Sequence, residues 1–241
     1  MTEAEWLGCD YPATMLHFLY GLPGDGRRAF CQGEIGSRKL RLFACACVRR
    51  VWHLLADPRS RTAVEMAERY ADGQATRDAL ATAAYPGADD AILQAAEAVR
   101  DIAGKAVWEA AIAAARTASV QGAWYAAGGG SYYSGRAVEF SAGAPLAELE
   151  CRYQCRLLRC VLGNPFRPPA PPGPAWLAWN DGTVQKLARA VYDECRFDDL
   201  PILADALEDA SCADADLLNH LREPGPHTRG CWPVDLLLGL G

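Results

Sequence analysis

The sequence lacks almost everything that would announce an activity. No apolar run reaches the roughly 18 uncharged residues that crossing a bilayer requires, so a helical membrane span is excluded. There is no Gly-x-Ser-x-Gly elbow, no HExxH pair and no phosphate-binding P-loop, which leaves nucleophilic and phosphoryl-transfer chemistry without a motif. No CxxC knuckle occurs, although the chain has ten cysteines. The N-terminus, Met1-Thr2-Glu3-Ala4-Glu5, is acidic rather than basic-then-apolar, so a secretory signal is not expected. An excess of positive charge is missing as well. The 24 Lys and Arg stand against 30 Asp and Glu, and a net charge of −6 does not suit a general coat for nucleic acid.

What is present is a globular composition, 51% hydrophobic and 22% charged over 241 residues, enough to bury a sizeable core. Reduced, mostly structural thiols are the expectation in a chain of this size without a secretory leader, and with them a cytoplasmic location. Charge is unevenly spread. Residues 27–50 carry Arg27, Arg28, Arg38, Lys39, Arg41, Arg49 and Arg50 against Glu34 alone, whereas residues 181–241 hold 12 acidic and 5 basic groups. Pairing within the molecule is the simplest account of such asymmetry; a partner surface is the other.

Helical spacing dominates the pattern. Thr2 with Glu3 and Glu5 opens a short turn, and residues 13–22 continue in helix until Gly21, Pro23, Gly24 and Gly26 break it. Ser37 would cap a helix to about residue 56, with Leu40, Phe43, Ala44, Cys47, Val48, Val51 and Leu55 on one broad face. Asp57-Pro58 ends it. A helix near 60–71 stops at Asp72-Gly73, and Thr76 caps a short successor. Residues 88–127 are alanine-rich and read as one long helix or two end to end; Gly128-Gly129-Gly130-Ser131 is a break, and 132–140 is open to a short strand. Helix returns over 145–161 and stops at Gly163-Asn164-Pro165. Residues 165–174 hold six prolines, which favour extended polyproline geometry in a linker or a strap. Short helices follow, opened by Asp181 or Thr183, by Asp198 or Asp199 with Pro201, by Asp214 and by Pro233.

The expected fold is therefore all-α: an antiparallel helical bundle over 1–164, a proline-rich strap or linker over 165–174, and a small C-terminal helical lobe over 175–241, or one integrated domain.

Among chemistry-bearing residues, Cys212, His220, His227 and Cys231 are the sharpest set. Two thiolates and two imidazoles satisfy a tetrahedral zinc ion and would close its shell, which is the mark of a structural site. The spacing Cys-x7-His-x6-His-x3-Cys matches no standard finger, so buried thiols and locally bonded histidines are the competing reading. Cys45 and Cys47 point to different sides of a helix and read as core. Cys151 and Cys155 share a face and read as a packed interface. Asp89-Asp90 and Asp198-Asp199 read as helix-start acids, and Ser131 and Ser134 as loop residues. Trp176, Trp179 and Trp232 are amphipathic anchors.

The stretches 38–47, 163–168 (Gly163-Asn164-Pro165-Phe166-Arg167-Pro168), 179–183, 200–210 and 225–232 resemble an uncharacterised group of proteins abundant in planctomycete-type bacteria. The resemblance implies a bacterial intracellular setting and carries no activity, cofactor or catalytic residue.

Three functions follow as expectations. The first is a non-enzymatic interaction or regulatory module that binds another protein. The second is a nucleic-acid accessory factor using Arg38, Lys39, Arg41, Arg49 and Arg50. The third is a hydrolase whose cleft in the C-terminal lobe is lined by Asp205, His220 and His227. No membrane partner is expected.

Overall fold

The computed structural model describes residues 1–20, 33–50, 52, 58–83 and 145–240. The glycine break at 21–26, the expected helix end with Val51, Leu55 and Asp57, the alanine-rich stretch with Asp89-Asp90, the loop with Ser131 and Ser134, and the ambiguous 132–140 segment lie outside them. The fold is all-α, and no strand occurs among the described residues. Two compact units divide the chain, Met1–Cys155 and Arg156–Gly241.

In the first unit, helix α1 (Glu3–Gly8) opens on a reciprocal cap. The Glu5 amide donates to Thr2 Oγ1 at 3.3 Å and the Thr2 amide to Glu5 Oε2 at 2.7 Å. Two otherwise orphaned donors are thereby satisfied. The Thr2 backbone bond also holds the Glu5 carboxyl below its ordinary range, with burial opposing it. Helix α2 (Pro12–Tyr20) follows, and Trp6, fully buried, packs its ring 6.1 Å from that of Phe18.

Helix α3 (Glu34–Arg50) begins three residues ahead of the expected Ser37 cap. It packs on α4 (Pro58–Ala71), which in turn packs on α5 (Arg77–Ala83). Partners ascend along α3 as they descend along α4: Arg38 with Asp72, Arg41 with Tyr70, Cys45 with Val64. The two helices are thus antiparallel. Thr76 Oγ1 accepts from the Ala79 amide at 3.2 Å, as an N-cap should. Cys45 and Cys47 are both buried in this core, and burial raises the Cys45 thiol well above its ordinary range.

Helix α6 (Pro145–Leu162) carries Cys151 and Cys155, both buried, within the first unit. It ends at Gly163, whose φ of 69° is the left-handed geometry that lets its amide reach back to the Arg159 carbonyl at 2.8 Å. Residues 165–171 are exposed and residues 165–173 form no helix.

The second unit then builds α7 (Pro174–Ala178), a 3₁₀ turn (Trp179–Gly182), α8 (Thr183–Glu194), α9 (Leu200–Asp209), α10 (Ala215–Arg222) and α11 (Trp232–Leu238). The α8 helix packs on α9 and α11, and α10 packs on both as well. Their shared core includes Val184, Val191, Leu203, Leu207, Leu217, Leu221, Val234 and Leu237. Asp214 caps α10 by accepting from the Leu217 amide at 3.1 Å.

Candidate metal centre

Four side chains from four different segments of the second unit converge. Cys160 sits in the last turn of α6, His220 in the last turn of α10, His227 just past the Pro224-Gly225-Pro226 turn, and Cys231 at the N-cap of α11. Their ligating atoms all lie within 4.8 Å of one another. Both sulfurs are buried, Cys160 at 2% exposure and Cys231 at 0%, while the imidazoles are half-buried.

The spacing of these atoms is chemically specific. Around a tetrahedral ion with metal–sulfur bonds near 2.3 Å and metal–nitrogen bonds near 2.0 Å, each sulfur–nitrogen edge is about 3.5 Å. Here Cys231 Sγ lies 3.5 Å from His220 Nε2 and 3.9 Å from His227 Nδ1, and Cys160 Sγ lies 3.6 Å from His227 Nδ1. These three edges lie near the tetrahedral value, within a set whose widest separation stays within 4.8 Å.

Local structure explains the arrangement. Gly230, at φ 85°, sits third in a turn closed by the Cys231 amide donating to the Thr228 carbonyl at 3.0 Å. Only a left-handed residue fits that position, and glycine adopts it without penalty. The turn brings Cys231 back toward His227. Arg156 donates from Nη2 to the Pro224 carbonyl, tying α6 to the turn before His227. Arg229 donates from Nε to Cys195 Sγ and from Nη2 to the Asp193 carbonyl, both at 3.3 Å, which ties the far side of the loop to the end of α8. The Trp232 ring lies 5.5 Å from that of His220, and its indole lies against Gly163.

The two histidines differ in what holds them. His227 Nε2 is 3.1 Å from the Glu223 carbonyl, which accepts its proton and leaves Nδ1 as the lone-pair nitrogen facing both sulfurs. A backbone carbonyl behind an imidazole is the arrangement that, at metal sites, fixes the ring for ligation. His220 turns Nε2 to Cys231, and among the described residues nothing bonds its Nδ1. The rings of His220 and His227 meet edge to face, with centroids 5.2 Å apart.

In the metal-free chain the Cys160 thiol and the His227 imidazole shift each other toward their charged forms. The Cys231 contact holds the Cys160 thiol well below its ordinary range; burial opposes this, and both imidazoles add to it. Burial works against a charged His227, yet the Cys160 sulfur and the Glu223 carbonyl together raise it above its ordinary value.

Three of the four expected ligands are brought together, but Cys212 is not among them; Cys160 takes the fourth position. Cys212 is instead the third residue beyond α9 in a helix-ending motif. Ser211 takes φ 66° and its amide donates to Glu208 O, while the Cys212 amide donates to Leu207 O, both at 2.8 Å. That geometry turns the residue inward as an apolar plug, and burial raises its thiol above the ordinary range. Sequence spacing missed Cys160 because 59 residues separate it from His220. The available signal was a cysteine in a last helical turn, immediately ahead of a glycine stop.

The other expected sites resolve differently. Arg38 bonds Asp72 Oδ1 at 3.0 and 3.2 Å, and Arg49 bonds Glu68 at 2.5 and 2.7 Å while covering the Trp52 ring. Arg41, at 9% exposure, stacks on Tyr70, Arg50 stacks on Tyr153, and Lys39 is buried at 5%. The basic helix is engaged inside its own unit. Asp205 turns its carboxylate to Arg222 Nη2 at 2.7 Å, and it does not belong to the cluster with His220 and His227.

No protein-family model, no curated protein and no solved structure matches the chain.

Proposed function

We propose that Cys160, His220, His227 and Cys231 hold one structural zinc ion, and that the chain is a zinc-stapled helical module that binds another protein rather than a catalyst. The single observation that carries the zinc reading is the set of sulfur–nitrogen edges at 3.5, 3.6 and 3.9 Å, close to the 3.5 Å or so of a tetrahedral shell. Two thiolates balance the charge of a divalent ion, and four protein ligands leave no position for substrate. A closed shell of that kind supports folding instead of bond-making. A binding role also accords with the pairing of Asp205 to Arg222, which draws the candidate acid away from the histidines. The internal engagement of Arg38, Arg41, Arg49 and Arg50 weighs against nucleic acid as the partner.

Elemental analysis of protein purified without a histidine tag tests the metal. About one equivalent of zinc per chain is expected. A chain that carries no metal and takes up none when zinc is added refutes the reading. Recovery of a co-purifying protein that binds in the zinc-loaded form and is lost after chelation tests the binding role.

A further inference from the structure

The two imidazoles of the cluster have unequal support, and this inference rests on the zinc reading given above. His227 is held from behind by the Glu223 carbonyl and stands in a loop pinned on both sides by Arg156 and Arg229. His220 has no such partner at Nδ1 among the described residues, and it is half-buried at the end of α10. Outer-shell bonds of this kind orient a ligand and raise its basicity, and losing one typically costs about 10- to 100-fold in metal affinity.

We infer that His220 is the exchangeable ligand of the site: the edge by which the ion enters and leaves, and the position that an outside imidazole or thiolate donor takes up. His227, Cys160 and Cys231 form the retaining face. Both sulfurs are buried, so the sulfur side is closed. In exchange the lone pair of His220 Nε2 leaves the ion and the lone pair of the incoming donor replaces it. No electron is transferred and the ion remains four-coordinate. The site is therefore structural at rest and open to ligand-assisted transfer at one corner.

The test compares zinc affinity of the full chain with that of His220→Ala and His227→Ala, by competition with a chelating dye, with and without added imidazole. His220→Ala is expected to retain the ion, to bind it about 10-fold or more tighter than His227→Ala does, and to recover toward the unmodified chain when imidazole is supplied. Equal losses in both variants, or no response of His220→Ala to imidazole, overturn the inference while leaving the zinc reading intact. A wild-type chain that binds no zinc overturns the zinc reading itself. If His220→Ala does not fold, cobalt-loaded wild-type protein titrated with imidazole reads the same edge. A changed visible spectrum with the metal retained supports His220 exchange, and an unchanged spectrum refutes it.

Discussion

The sulfur of Cys160 and the Nδ1 of His227 stand 3.6 Å apart across 67 residues of sequence. That pair ties the last turn of α6 to the loop ahead of α11.

The exchange of Cys212 for Cys160 as ligand gives the first prediction. Cys160→Ala should lower zinc affinity by more than about 100-fold, because a side chain that touches the ion outweighs the hydrogen-bond partners behind such side chains, which already count for about 10- to 100-fold. Cys212→Ala should keep the full equivalent of zinc and lose about 1 kcal/mol of stability from the core. Metal content and urea denaturation of the two variants check both arms.

Gly163 is the second site to test. Its φ is 69°, and a Cβ there would stand 3.3 Å from Cγ of Trp232. Gly163→Ala should destabilise the C-terminal unit by about 1–3 kcal/mol through left-handed strain, with crowding of the indole added. A denaturation midpoint equal to that of the wild type would contradict this.

Protons and metal compete for the site in a definite direction. His227 holds its proton above the ordinary imidazole range, so apparent zinc affinity should fall as pH drops from 8 through that raised value. In the metal-free chain the signs split. The raised His227 stabilises the fold below the ordinary imidazole pKa, and that contribution is lost as pH rises through the raised value. The lowered Cys160 stabilises it above the ordinary thiol pKa, a contribution lost as pH falls through the lowered value. Dye competition across pH 5.5–8 and thermal melts of chelated protein measure the two behaviours separately.

In the N-terminal unit, Glu68 accepts two bonds from Arg49 and its side chain is 9% exposed. Glu68→Ala should cost about 1.5–3 kcal/mol, the range for hydrogen bonds to charged groups, and leave zinc content unchanged. Urea denaturation and metal analysis of the variant check both.

Much of the helical plan is legible in the sequence because its signals are local. Thr2, Thr76 and Asp214 cap where hydroxyl and carboxylate oxygens three residues ahead of an amide must. Gly73 and Gly163 stop helices where only a left-handed residue fits. His220, His227 and Cys231 are legible as members of one cluster because 12 residues contain all three. Cys160 is not, since its role depends on which helix end the C-terminal core brings against the loop, and periodicity places it merely on the apolar side of α6. For the basic helix, pairing within the molecule is the simplest reading of the sequence, but the partners are not legible there: Tyr70 and Glu68 come from α4 and Asp72 from just beyond it.

The order of the four ligands along the chain also sets when the centre can assemble. Cys160 leaves the ribosome 71 residues before Cys231, roughly 4 to 14 seconds earlier at ordinary translation speed. Through that interval the set of four lacks at least one member, so the closed shell proposed above can form only late in biosynthesis, once the Thr228–Cys231 turn has emerged.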